Sequence, residues 1–69
     1  MMLVFARFTS YYPAAGAAAL VDPKAVVAIV DRGECRMIRM VHDVFVEVTE
    51  TVDEIVGGLD AALKVSIKS

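Results

Sequence analysis

The chain has 69 residues, of which 58% are hydrophobic and 23% are charged, and its formal net charge is −2. A chain of this length forms one domain and buries only about 60% of the surface that its unfolded form exposes. An average soluble domain is only ~45–50% apolar. We therefore expect one domain, residues 1–69, with a surplus of apolar side chains that lies at an interface between copies. The negative charge argues against general attraction to nucleic acid or anionic lipid.

Neither a membrane span nor an internal disulfide is expected. A transmembrane helix needs about 20 consecutive apolar residues. The longest segment without a charged residue, 8–21, is interrupted by Ser10, Pro13 and Gly16. The single cysteine, Cys35, has no partner within the chain and is typical of a reducing compartment. A cytoplasmic protein is the expectation.

The first third of the chain predicts a strand, a loop and a second, brief strand. Residues 3–9 are rich in branched and aromatic side chains, which favours a strand. Residues 10–19 contain Pro13 and Gly16, and we predict a loop there, with the form of a wide hairpin connection. A brief strand at 20–21 precedes a turn at Asp22-Pro23.

The middle of the chain predicts three antiparallel strands joined by short turns. The strands cover residues 25–31, 36–41 and 44–49, and the turns fall at 32–34 and 42–43. Both faces of the first of these strands are mostly apolar, so neither can face water alone. Cover is expected from sheet curvature, a helix and a subunit contact together.

A helix follows with almost no loop. Thr51 and Glu54 have the spacing of a capping box, in which each side chain binds the other residue's backbone amide. The apolar residues that follow fall on one arc of a helix, with Asp60 and Lys64 opposite. The helix is predicted to end near Lys64, and residues 65–69 to form a tail or a short edge strand. Gly57-Gly58 lies inside the helix at a cost of ~1 kcal/mol per glycine, which a close neighbouring backbone would explain.

The order of these features resembles the FlbD-type flagellar accessory proteins, also called the SwrD type of swarming-motility proteins. The resemblance covers about residues 20–59 and is carried by Leu20-Val21-Asp22-Pro23 and by the segments 38–43, 45–48 and 50–55. His42-Asp43 stands where the family has Asn-Gly, which makes a type I′ turn less favourable. The resemblance implies a shared fold and an accessory or assembly role, in a flagellar context or in the phage genomes where similar small proteins occur.

A second resemblance is one of topology, to Sm-like small barrels that assemble into rings and often bind RNA. Ile38-Arg39 sits where those proteins carry Ile-Arg-Gly, with Met40 in place of the glycine. The predicted fold class is therefore β-rich α+β: a small, strongly bent antiparallel sheet, or an Sm-like open barrel, of four or five short strands with a C-terminal helix.

Catalysis, metal binding and cofactor binding are not expected. His42 is the only histidine, and Cys35 is the one nucleophile that it might activate. Seven positions along one strand separate them by more than ~20 Å. A structural zinc site commonly takes four Cys or His ligands, and the chain has one of each. No small-molecule substrate is indicated.

Two groups of residues are candidates for binding. Arginines and tyrosines are candidates for a patch that contacts RNA or an acidic partner: Arg32, Arg36, Arg39, Tyr11 and Tyr12. In the alternative, the arginines pair across strands with acidic neighbours, Asp31, Glu34 and Glu47. Apolar residues are candidates for an interface between subunits: Met37, Met40, Phe45, Ile55 and Leu59.

The sequence thus predicts a non-enzymatic, self-associating module that acts by binding, as an accessory or assembly protein. The alternative is an Sm-like homo-oligomeric ring that binds RNA.

Overall fold

The computed structural model describes residues 4–68, and the side chains of residues 4–65. Five strands precede one helix, and a short 3₁₀ turn, Val41–Asp43, lies between the last two strands. The bounds are β1 Ala6–Tyr12, β2 Ala18–Val21, β3 Val26–Asp31, β4 Arg36–Met40, β5 Val44–Val48 and α1 Val52–Lys68. The predicted fold class, a small α+β domain with a C-terminal helix, is confirmed.

The sheet has the order β2-β1-β5-β4-β3, with every pairing antiparallel. The first part of β1 pairs with β2, from Ala6 to Thr9. Its end pairs with β5 through Ser10 and Tyr12, with an irregularity between them. Within the described residues β2 and β3 do not pair, so the sheet is strongly bent but not closed into a barrel.

One face of the bent sheet and one face of α1 form the core. Alternation along β4 and β5 places Ile38 and Val48 on this face, where both are fully buried. The helix contributes Ile55 and packs against β1. A Cβ added at Gly58 would lie 3.0 Å from the ring of Phe8, whereas one added at Gly57 would meet open space. Gly58 therefore makes room for a buried side chain, and not for the neighbouring backbone that the sequence suggested.

The predicted loop at 10–19 is too long at both ends. Residues 10–12 belong to β1 and residues 18–19 to β2, which leaves 13–17 as the connection. The Ser10 amide donates to the Ala17 carbonyl over 2.8 Å, and Ser10 itself is buried. Strand pairing thus extends into a segment whose polar and small residues predicted a loop. The first strand also begins at Ala6, later than predicted, and residue 3 lies outside the described part of the chain.

Two predictions for the helix have different outcomes. The capping box is confirmed: the Thr51 amide donates to the Glu54 carboxylate over 3.0 Å, and the Glu54 amide donates to Thr51 Oγ1 over 3.2 Å. The predicted end near Lys64 is wrong, because α1 continues to Lys68. Residues 65–68 contain no glycine or proline to stop propagation, so they form neither a tail nor an edge strand; residue 69 lies outside the described part.

Two turns position the strands that carry the candidate surface. The β3–β4 turn has Gly33-Glu34 at its centre, Gly33 adopts a positive φ that suits glycine, and the Arg32 amide donates to the Cys35 carbonyl over 2.9 Å. In the β4–β5 turn both His42 and Asp43 adopt positive φ. The left-handed geometry therefore persists without the Asn-Gly pair, and His and Asp are among the side chains that tolerate it best.

Candidate interaction surface

The face of β3, β4 and β5 that points away from the core carries a set of mainly apolar side chains. Met37 lies opposite Val30 on one side and Glu47 on the other. Arg39 lies between Ala28 and Phe45 in the same way. Because Ile38 between them is fully buried, alternation directs these side chains outward. We define the outer patch by five residues of this face: Val27, Val30, Met37, Arg39 and Phe45.

The apolar members of the outer patch are open to solvent. Val27 is 64% exposed, Phe45 54% and Val30 42%. An irregularity in register between Val26 and Ala28 inserts Val27 as an extra residue at the sheet edge. Single exposed apolar residues are ordinary on a protein surface, whereas a large exposed apolar patch marks an interaction site. The outer patch groups three exposed apolar side chains around the half-buried Met37 and the exposed Arg39, and it is therefore a candidate for such a site.

A depression of about 180 Å³ lies within this surface. Its lining combines two residues of the outer patch, Met37 and Phe45, with the ion pair of Arg39 and Asp43. Arg39 Nη2 donates to Asp43 Oδ1 over 3.0 Å, and both side chains are exposed. The depression is therefore apolar on one side and bounded by an ion pair of no net charge on the other.

The Arg36 side chain, by contrast, is bonded to the backbone of the fold. Its Nε donates to the Glu50 carbonyl over 2.8 Å and its Nη2 to the Thr49 carbonyl over 2.7 Å. Its Nη1 donates to the Gly33 carbonyl over 3.0 Å and lies 3.6 Å from the Asp31 carboxylate. The side chain is only 14% exposed. Arg36 thus ties the β3–β4 turn to the β5–α1 junction.

The three arginines do not form one basic patch. Arg36 and Arg39 lie on opposite faces of β4, and Arg32 lies in the β3–β4 turn. The Arg36–Asp31 pair matches the cross-strand alternative. Phosphate recognition by all three side chains together would require a rearranged sheet.

The tyrosines lie in acidic surroundings. The Tyr11 hydroxyl donates to the Glu34 carboxylate over 3.1 Å, and this bond together with the carboxylate charge raises the Tyr11 pKa. Tyr12, which is exposed, lies opposite Glu47 in the sheet. Carboxylates at this place repel nucleic-acid phosphates, so stacking of bases on these rings is not favoured.

Cys35 is a buried hydrogen-bond donor. Its Sγ donates to the Glu47 carboxylate over 2.9 Å, and this bond, with burial, raises the pKa of the thiol. The reactive thiolate is therefore disfavoured. Cys35 and His42 lie beyond opposite ends of β4.

The five interface candidates divide between surface and core. Met37 and Phe45 line the depression on the outer patch. Ile55 is fully buried, and Met40 and Leu59 are partly buried against the core, so the prediction of an interface role is wrong for Ile55 and unsupported for the other two. The sequence reasoning missed Val27 and Val30 by name, although the two apolar faces of 25–31 were the signal that pointed to them.

Two further kinds of site concern the described part of the chain, a metal centre and a membrane-spanning helix. Among residues 4–65, no three His, Cys, Asp or Glu side chains come together in a way that could hold a metal ion. The described helix is not long and apolar enough to cross a membrane.

Comparison of the chain with models of protein families, with curated proteins and with solved structures gives no match.

Proposed function

We propose that this protein is a non-enzymatic module that associates with copies of itself through the outer patch and acts by binding, as an accessory or assembly protein. The observation that carries the proposal is the group of exposed apolar side chains on the outward face of β3 and β5, namely Val27, Val30 and Phe45, with the half-buried Met37 of β4 between the strands. Burial of apolar surface is worth about 25 cal/mol per Å². Covering the outer patch with a second protein surface would therefore stabilise the complex by about this amount for each Å² of apolar surface buried.

The surroundings of the outer patch carry charges of both signs. Arg39 and Asp43 form an ion pair beside the apolar residues, and Glu47 lies opposite Met37 on the same face. A two-fold symmetric interface brings one patch against the same patch, so it requires a surface that is complementary to itself. The choice of a second copy as the occupant rests on the surplus of apolar side chains in a chain of 69 residues.

The RNA-binding ring is the weaker alternative. The Arg36 guanidinium donates to backbone carbonyls, and the Tyr11 hydroxyl donates to the Glu34 carboxylate, so neither group is free to contact RNA. The net charge of −2 adds no general attraction to RNA. A flagellar or phage context for the assembly role rests on the sequence resemblance alone, and the genes adjacent to this one would discriminate between the two contexts.

The proposal is tested with two matched phenylalanine variants. Phe45 belongs to the outer patch, and Phe5, which is 48% exposed, lies outside it. We expect Phe45→Ser to weaken self-association at least about tenfold, because a buried phenyl ring is worth roughly 1.5–3 kcal/mol. We expect Phe5→Ser to stay within about twofold of the unchanged protein. Light scattering coupled to size-exclusion chromatography measures the masses, and equal behaviour of the two variants would contradict the assignment of the outer patch.

A further inference from the structure

We draw no further inference here: the strongest candidate, the solvent-open depression that Met37, Arg39, Asp43 and Phe45 line on the outer patch, carries none, because nothing in the structure shows what covers it.

Discussion

At Arg36 a single side chain joins two backbone segments, the β3–β4 turn beside it and the β5–α1 junction thirteen to fourteen residues further along the chain. Its guanidinium donates to the carbonyls of Gly33, Thr49 and Glu50. The Glu50 carboxylate in turn accepts the Thr9 amide over 2.9 Å. The junction between β5 and α1 is therefore held from β4 on one side and from β1 on the other, and this fixes where the helix begins.

Removal of this guanidinium should destabilise the fold. Arg36→Met keeps the length and apolar stem of the side chain but leaves three carbonyls without their charged donor. Hydrogen bonds to charged groups are worth about 1.5–3 kcal/mol each, with incomplete additivity. We expect the free energy of unfolding in urea to fall by roughly 2–4 kcal/mol. Arg32→Met, in the exposed β3–β4 turn, is the control and should change it by less than about 0.5 kcal/mol; similar losses in both variants would contradict this role for Arg36.

The sequence predicted correctly those contacts that form between residues close together in the chain. Thr51 and Glu54 are three positions apart, and their reciprocal bonds form as predicted. Arg36 and Arg39 are an odd number of positions apart, and they lie on opposite faces of β4 as alternation requires. The bonds from Arg36 to the Thr49 and Glu50 carbonyls were not predictable, because the folded sheet alone brings these residues together.

At the scale of the helix, the two adjacent glycines of α1 have different surroundings. A Cβ at Gly57 meets nothing within 4 Å, whereas a Cβ at Gly58 meets the Phe8 ring at 3.0 Å. Alanine is favoured over glycine inside a helix by about 0.8–1 kcal/mol. We expect Gly57→Ala to raise the free energy of unfolding by about that amount. Gly58→Ala should lose this gain or destabilise, because the buried ring must move.

Each of these two variants is the control for the other, because both replace one glycine of α1 with alanine. Thermal and urea denaturation measure both. An equal rise in stability for Gly57→Ala and Gly58→Ala would show that α1 does not approach Phe8 as closely as described.

The capping box makes the helix start sensitive to acid. The Thr51 amide and hydroxyl lower the pKa of Glu54 below its ordinary value. A carboxyl group whose pKa is lowered by folding contributes stability above its unfolded pKa of ~4.3, and this contribution is lost as the pH falls through the folded value. We expect Glu54→Gln to be less stable than the unchanged protein at pH 6, and we expect this difference to be smaller at pH 3. Urea denaturation at the two pH values measures this difference, and a constant difference would contradict the bond.

Elements defined by local patterns were predicted better than those defined by pairing. The hairpin of β4 and β5 and the start of α1 follow from alternation, turn residues and the cap. The extension of β1 to Tyr12 depends on its pairing with β5, more than thirty residues away, and no local pattern indicates it. The sequence also does not show which face of an element is buried. Ile55 and Phe45 are both apolar, yet Ile55 lies in the core and Phe45 lies on the surface.

For the whole molecule, the surplus of apolar side chains is the feature that links composition to function. On one face of the sheet α1 packs against β1, and the core there draws on all five strands, although Val44 on the same face is 52% exposed. The other face keeps Val27, Val30 and Phe45 in contact with water. A 69-residue chain has no further element within its described part to place there. The central claim is therefore that this face is covered by another copy.

Sedimentation equilibrium over protein concentrations from about 1 to 300 μM tests this claim most directly. A stable contact of modest size has a dissociation constant near the micromolar range, so we expect the weight-average mass to rise from the 7.4 kDa of one chain toward twice that value or higher. A mass that remains at 7.4 kDa over the whole range, in a sample shown to be folded, would contradict the account.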